Sequence, residues 1–298
     1  MDLQEFDSLR RTVRVPSGEM GYVDVGTGPV AVFVHGLGTN SYLWRNVIDR
    51  LRSERRCVAL DLPIHGRSTI TPGHSLSLSA LADSVEEFLD ALGLVGVDLV
   101  ANDTGAAISQ IFAARHPERL ASFTLTNCEA HDNIPNEAFR GTVELARRGE
   151  LAPVALNMLR NIEQARSGDR AIGLNYEFPQ QLADETLRTY LEPICGTLES
   201  ARLFERLLSE LDAKDLLGAE PGLRALTVPT LIVWGTADFH FSVDWAYWLR
   251  DTIPGATQVV ELAGAKLYFP DERADDLVPL LRQHWAAARA GKPQSAPA

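Results

Sequence analysis

Five short apolar runs in this 298-residue chain each end in a polar cluster that could do chemistry. The clusters are His35-Gly36-Leu37-Gly38, Asp61 through Ser68, Ala101-Asn102-Asp103-Thr104-Gly105, Asn127 through Asp132, and Gly235 through His240. A sixth stretch, Ala263 through Pro270, adds Lys266. A carboxylate such as Asp103 or Asp238 can attack carbon or move a proton, and a histidine such as His131 or His240, or a lysine of lowered pKa, can activate water. Cys57, Cys128 and Cys195 have no CxxC spacing and no partner pattern, so they read as reduced, and no metal or cofactor is expected.

Elements must bring these clusters together. Val30–Val34, Arg56–Leu60, Val97–Val100 and Ala121–Leu125 read as buried strands, and Pro229–Trp234 and Thr257–Leu262 as two later ones. Helices are expected at about 41–51, at 104–114, at 243–251 and near 273–288. Leu78, Leu81, Val85, Phe88, Leu89 and Leu92 recur at helical spacing as one more. This alternation predicts an α/β fold with a mostly parallel central sheet flanked by helices. From Glu129 to Leu226 the β-branched runs stop and the chain reads as helical. We therefore expect residues 1–128 and 227–289 to form one core, 129–226 a helical lid between two core strands, and 290–298 a disordered tail.

Composition narrows the partners. With 28 Lys and Arg against 40 Asp and Glu, the net charge of −12 repels phosphate backbones and anionic lipid, so a small-molecule substrate is expected, and neither nucleic acid nor membrane. No apolar run reaches the 18 residues of a spanning helix and the first residues have no signal-peptide pattern, which makes the cytoplasm the expected location. Oligomeric state is not legible.

The opening HGLGTNSYLWRNVIDRL and the five clusters together resemble the α/β-hydrolases over roughly residues 20–290, and the haloalkane dehalogenases and epoxide hydrolases in particular. The resemblance places Asp103 at the nucleophile elbow, a strand-to-helix turn of positive φ framed by small residues. Its alternative is an acidic helix N-cap. An aspartate attacking a carbonyl gives a labile anhydride, whereas on an sp³ carbon it gives a stable ester, which suits alkyl halides and epoxides. The resemblance further implies an oxyanion hole from the backbone N–H groups of Leu37 and Thr104. It makes Asp238 the acid that orients a histidine, unless Asp238 is only a turn residue, and it leaves His35 and His65 structural.

The pattern then breaks. Where the family carries its base, this chain reads Ala263-Gly264-Ala265-Lys266-Leu267, and the histidine position falls on Lys266 or Leu267. His240, His131 or Lys266 would have to replace it, His240 first. The halide-holding neighbours are Thr104 and Leu37 instead of the family's Trp and Asn. The lid tyrosines able to protonate an epoxide are Tyr176 and Tyr190. The expected pocket therefore holds Asp103, Asp238 and one of the three bases, walled by His131, Trp234, Phe239, Tyr176 and Tyr190. The reading is a hydrolase working through Asp103 on a small or medium apolar substrate. A non-hydrolytic lyase or isomerase on the same site, or a binding module without turnover, are its alternatives.

Overall fold

The computed structural model describes residues 1–169 and 171–290. Eight strands form one sheet: β1 (Arg10–Val15), β2 (Gly18–Val25), β3 (Val30–Val34), β4 (Arg56–Leu60), β5 (Val97–Asn102), β6 (Leu120–Thr126), β7 (Thr230–Gly235) and β8 (Ala256–Leu262), in the order β1-β2-β4-β3-β5-β6-β7-β8. The pairs from β4 to β8 are parallel, as the crossover pattern predicts, and β1 and β2 are antiparallel to their neighbours. This first hairpin escapes the sequence reading because β1 is an edge strand with Arg10, Arg11 and Arg14 along it and only Val15 fully buried. The expected tail divides: Ala290 ends the closing helix Ala274–Ala290, and 291–298 lie outside the described residues.

The helix Leu78–Ala91 starts where the Ser77 side chain accepts from Ala80 N–H, and it buries Leu78, Leu81, Val85, Phe88 and Leu89. The helix Thr104–Arg115 is buried on almost every side because two helices cover it, Leu78–Ala91 and Ala213–Arg224. Gly222 permits the second contact, since a Cβ there would stand 2.7 Å from Ala114. Between β6 and β7 the described residues contain helices and no strand: Arg140–Arg147, Leu151–Arg160, Ile162–Arg166, Asp184–Cys195, Leu198–Ser209 and Ala213–Arg224. Glu205 accepts from the N–H groups of Leu151 and Ala152, satisfying two of the donors that a helix start leaves open.

This helical insertion is tethered to the core at several places: Thr189 accepts from Asn40, Arg206 donates to His74, Glu210 accepts from Ser75 and Leu76, and a further set joins it to the segment after β8. Tyr176 donates to Asp271, Arg273 grips Glu177 with two hydrogen bonds of 2.7 Å, and Glu272 accepts from the N–H groups of Glu177 and Phe178. None of the described helices is long and apolar enough to cross a membrane.

Asp61, fully buried after β4, ties the site-bearing loops together. It accepts from Arg10 at 2.8 Å and from the N–H groups of Ser41 and Arg67 at 2.9 Å. Next to it, His35 Nε2 accepts from Leu62 N–H. Burial lowers His35 to about 3 and His65 to about 4, so both rings are neutral structural groups. Burial opposes the Asp61 charge, but Arg10 and the Ser41 and Arg67 donors outweigh it and hold this carboxyl below its usual range. Its contribution to stability is thus complete above the ordinary aspartate pKa and is lost as pH falls through the lower folded value. Asp61→Ala takes from Arg10 one of its two carboxylate partners, Asp7 being the other, and leaves the Ser41 and Arg67 N–H groups without their acceptor, and is expected to cost about 3–5 kcal/mol in urea unfolding at pH 7. A cost below about 1 kcal/mol would contradict the role given to this carboxylate.

Candidate active site

Asp103 sits between β5 and the helix Thr104–Arg115 with φ 56° and ψ −143°, a backbone state that a residue with a Cβ keeps only when its surroundings enforce it. Two glycines enforce it. A Cβ on Gly36 would meet the Asp103 carboxyl oxygen at 2.1 Å, and one on Gly105 would meet the His35 carbonyl oxygen at 2.0 Å. Asp103 N–H donates to Asn127 carbonyl at 2.8 Å, fixing the turn to the end of β6. The side chain makes no capping hydrogen bond, so the helix N-cap alternative falls.

Its carboxyl borders a cavity of about 340 Å³ between the sheet and the helical insertion. The walls are mainly apolar, with Leu145, Leu151, Met158, Ile172, Leu191 and Leu267 among them, and the polar lining includes Asp103, Thr104, Glu129, His240 and Tyr268. Burial raises the Asp103 carboxyl well above the ordinary range, and the neighbouring Glu129 and Asp238 raise it further. The backbone N–H groups of Thr104 and Leu37 act on it as donors in the opposite direction.

Glu129 is a buried carboxyl of this site that the sequence does not set apart. It follows β6, is 4% exposed, and accepts from Thr104 Oγ1 at 2.7 Å through Oε1, while its buried Oε2 has no partner among the described residues. Burial pushes its carboxyl up to about 7. The available signal was its place in the Asn127–Asp132 cluster at a strand end, where it was read only as part of that cluster.

Of the two residues expected at the base position, one faces the cavity. Leu267 faces the cavity and Lys266 does not, because Lys266 Nζ reaches away to the Leu174 carbonyl at 3.1 Å. Of the three expected replacements only His240 borders the cavity. Its ring stands edge-on to Phe139 and Phe239, and burial lowers it to about 4. His131 is a correction: a turn of φ 54° sends its ring onto Trp248 and Nδ1 to Glu220 at 2.8 Å, outside the cavity. Asp238 is another, since it is engaged by Asn127 Nδ2 and His240 N–H, both at 2.7 Å, and is not part of the cavity wall. Burial raises it to about 6.

Three aromatic expectations also fail. Trp234 is wholly buried and donates to the Phe241 carbonyl, and Tyr176 and Tyr190 belong to a buried network with Asp271 and Arg45. None of the three lines the cavity, whereas Phe239 does so while 63% exposed. Tyr268, not foreseen, lines it and donates to the Leu37 carbonyl at 3.0 Å. Among the described residues no group of His, Cys, Asp and Glu could hold a metal ion.

Fold and elbow together define an enzyme scaffold, and residues 29–272 match the alpha/beta hydrolase fold family, to which this chain belongs. Within it the chain falls in the haloalkane dehalogenase branch. It is 30% identical over 282 residues to haloalkane dehalogenase 2 of Mycobacterium tuberculosis, covering 91% of this chain and 90% of that one. It is also 25% identical to a cis-3-alkyl-4-alkyloxetan-2-one decarboxylase of Shewanella oneidensis, over 87% of this chain and 83% of that one. A solved haloalkane dehalogenase structure from Bradyrhizobium elkani shares the fold with a TM-score of 0.77 at 24% identity, over 95% of this chain and 99% of that one.

Glu129 and Asp238 both have folded-state values above their ordinary ones, so proton binding favours the folded protein. That contribution is complete below about pH 4 and is lost as pH rises through about 6 and about 7. Urea unfolding free energy is therefore expected to decline between pH 4.5 and 7, and Glu129→Gln to remove up to about 3 kcal/mol of the decline. An unchanged slope in the variant would show that Glu129 keeps its charge when folded.

Proposed function

We propose that this enzyme is a hydrolase that works through Asp103 on an uncharged, small or medium apolar substrate bearing an electrophilic sp³ carbon. One observation carries the reading: the Asp103 carboxyl lies on the wall of an apolar cavity, at an enforced positive-φ turn, with the Leu37 and Thr104 N–H groups acting on it. Attack by one carboxyl oxygen makes an alkyl ester of Asp103. The ester carbonyl then belongs to the enzyme itself, so the amides that favour the carboxylate also stand ready for the oxyanion formed when water adds. Such a substrate carries no anion into a site already holding two carboxyls, and a base inside the cavity then activates the water.

A second reading keeps the site without hydrolysis: Asp103, held neutral by burial, acts as the proton donor of a lyase or isomerase. The lack of a histidine at Lys266-Leu267, where the resemblance expects one, favours it, as does the decarboxylase named among the relatives. Intact-protein mass spectrometry after incubation with epoxide and haloalkane panels separates the two. A stoichiometric adduct on Asp103, absent from Asp103→Asn, supports the nucleophile. Turnover by Asp103→Asn with no adduct in the parent would falsify it, and no adduct or turnover with either panel favours the second reading.

A further inference from the structure

We infer that Glu129 is the acid and then the base of this site, and that the substrate class it fits is an epoxide. The inference rests on the Asp103 nucleophile proposed above. Three facts of geometry carry it. Glu129 borders the same cavity as Asp103, its Oε1 is fixed by Thr104, the residue next to the nucleophile, and its Oε2 is buried without a partner among the described residues. The other groups that could move a proton there are engaged or poorly basic: Tyr268 already donates to Leu37, Lys266 points to Leu174, and the His240 ring is held low by burial.

Burial raises both Asp103 and Glu129, and the neighbouring Glu129 raises Asp103 further, so the pair favours one shared proton. The reaction draws on the arrangement in which Asp103, beside its two backbone donors, carries the charge and Glu129 the proton. In the first half-reaction an Asp103 oxygen bonds to an epoxide carbon, that carbon's bond to the ring oxygen breaks, and the oxygen takes the Glu129 proton. The products are a β-hydroxyalkyl ester on Asp103 and an ionised Glu129.

In the second half-reaction Glu129 takes a proton from water as the hydroxyl oxygen bonds to Asp103 Cγ. The oxyanion faces the Leu37 and Thr104 amides. Collapse breaks the bond from Cγ to the alkyl oxygen, which recovers the proton from Glu129, so that one water and one epoxide have become a diol. Asp103 is left as the neutral acid and returns the shared proton to Glu129. A haloalkane leaves a halide that needs an anion-binding donor and cannot use this proton. The side chains beside the nucleophile, Leu37 and Thr104, are an alkyl group and a hydroxyl already given to Glu129. That asymmetry selects the epoxide.

The test compares wild type, Glu129→Gln and His240→Ala with 1,2-epoxyhexane and 1-bromohexane, reading intact mass over time and product, with one single-turnover run in H₂¹⁸O. Glutamine keeps an oxygen for Thr104, and thermal unfolding checks that the variant is folded. Wild type is expected to turn over the epoxide at least tenfold faster than the bromide and to place ¹⁸O in Asp103. Its ester hydrolysis is expected to rise with pH through about 7. Glu129→Gln is expected to form the ester slowly and then retain it, with hydrolysis slowed about 10²- to 10⁴-fold and its pH dependence gone.

Ester hydrolysis at the wild-type rate in Glu129→Gln, or retention of the ester in His240→Ala instead, overturns the role of Glu129 and leaves the nucleophile standing. Preference for the bromide, or no reaction with either probe, overturns the epoxide assignment. Diol formed with the label in the diol alone and no ester in any variant overturns the Asp103 reading itself. Should Glu129→Gln fail to fold, the wild-type pH dependence decides: a flat profile between pH 6 and 8 overturns the proposal.

Discussion

The active-site region depends on the closeness of two backbones, the loop after β3 and the turn after β5. Gly36 lies against the Asp103 side chain and Gly105 against the His35 carbonyl, at distances that leave no room for a methyl group. This contact holds Asp103 in a backbone state it would not choose, and the state aims the carboxyl into the cavity instead of along the helix it precedes. The cost is borne by the surrounding parallel strands, which are buried on both faces and cannot relax without breaking ladder hydrogen bonds. Asp61 extends the constraint outward, because it pins Arg10, the start of the 3₁₀ turn at Ser41 and the loop through Arg67 around the same corner.

Electrostatics then give this frame its character. Three carboxyls, Asp103, Glu129 and Asp238, cluster at adjacent strand ends, and no histidine or arginine side chain pairs with Asp103 or Glu129 among the described residues. In a dehydrated setting such groups cannot all ionise together, so the site resolves its repulsion by holding protons. Leu267 takes part in this by presenting an apolar side chain to the same cavity.

Much of this was legible in the sequence, and the pattern of success has a physical origin. Unbroken apolar strands such as Val30–Val34 and Arg56–Leu60 announce themselves because burial on both faces leaves no alternation, and both have the expected bounds. The elbow at Asp103 was readable because its small neighbours are a local steric requirement. Long-range matters were hidden. Nothing local distinguishes Lys266 from Leu267 as the residue facing the cavity, nor says that Tyr176 and Tyr190 turn to Asp271, since those choices are made by packing between distant segments. Glu129 was overlooked for a related reason: a glutamate in a polar loop becomes unusual only once the fold removes its water.

The helical insertion is tethered to the core at several points, and the cavity it covers keeps an exposed apolar border. Tyr176, Glu177 and Phe178 are bound to Asp271, Glu272 and Arg273, and these bonds must break together before that side can lift. Val154 and Phe239 border the cavity from elsewhere and are exposed, at 51% and 63%. Exposed apolar side chains thus border the cavity, while the Tyr176–Phe178 segment is held by one salt bridge and several hydrogen bonds. An apolar molecule reaching this border exchanges water for side chains of its own kind, whereas a charged one gives up hydration to do so, so the border favours apolar guests.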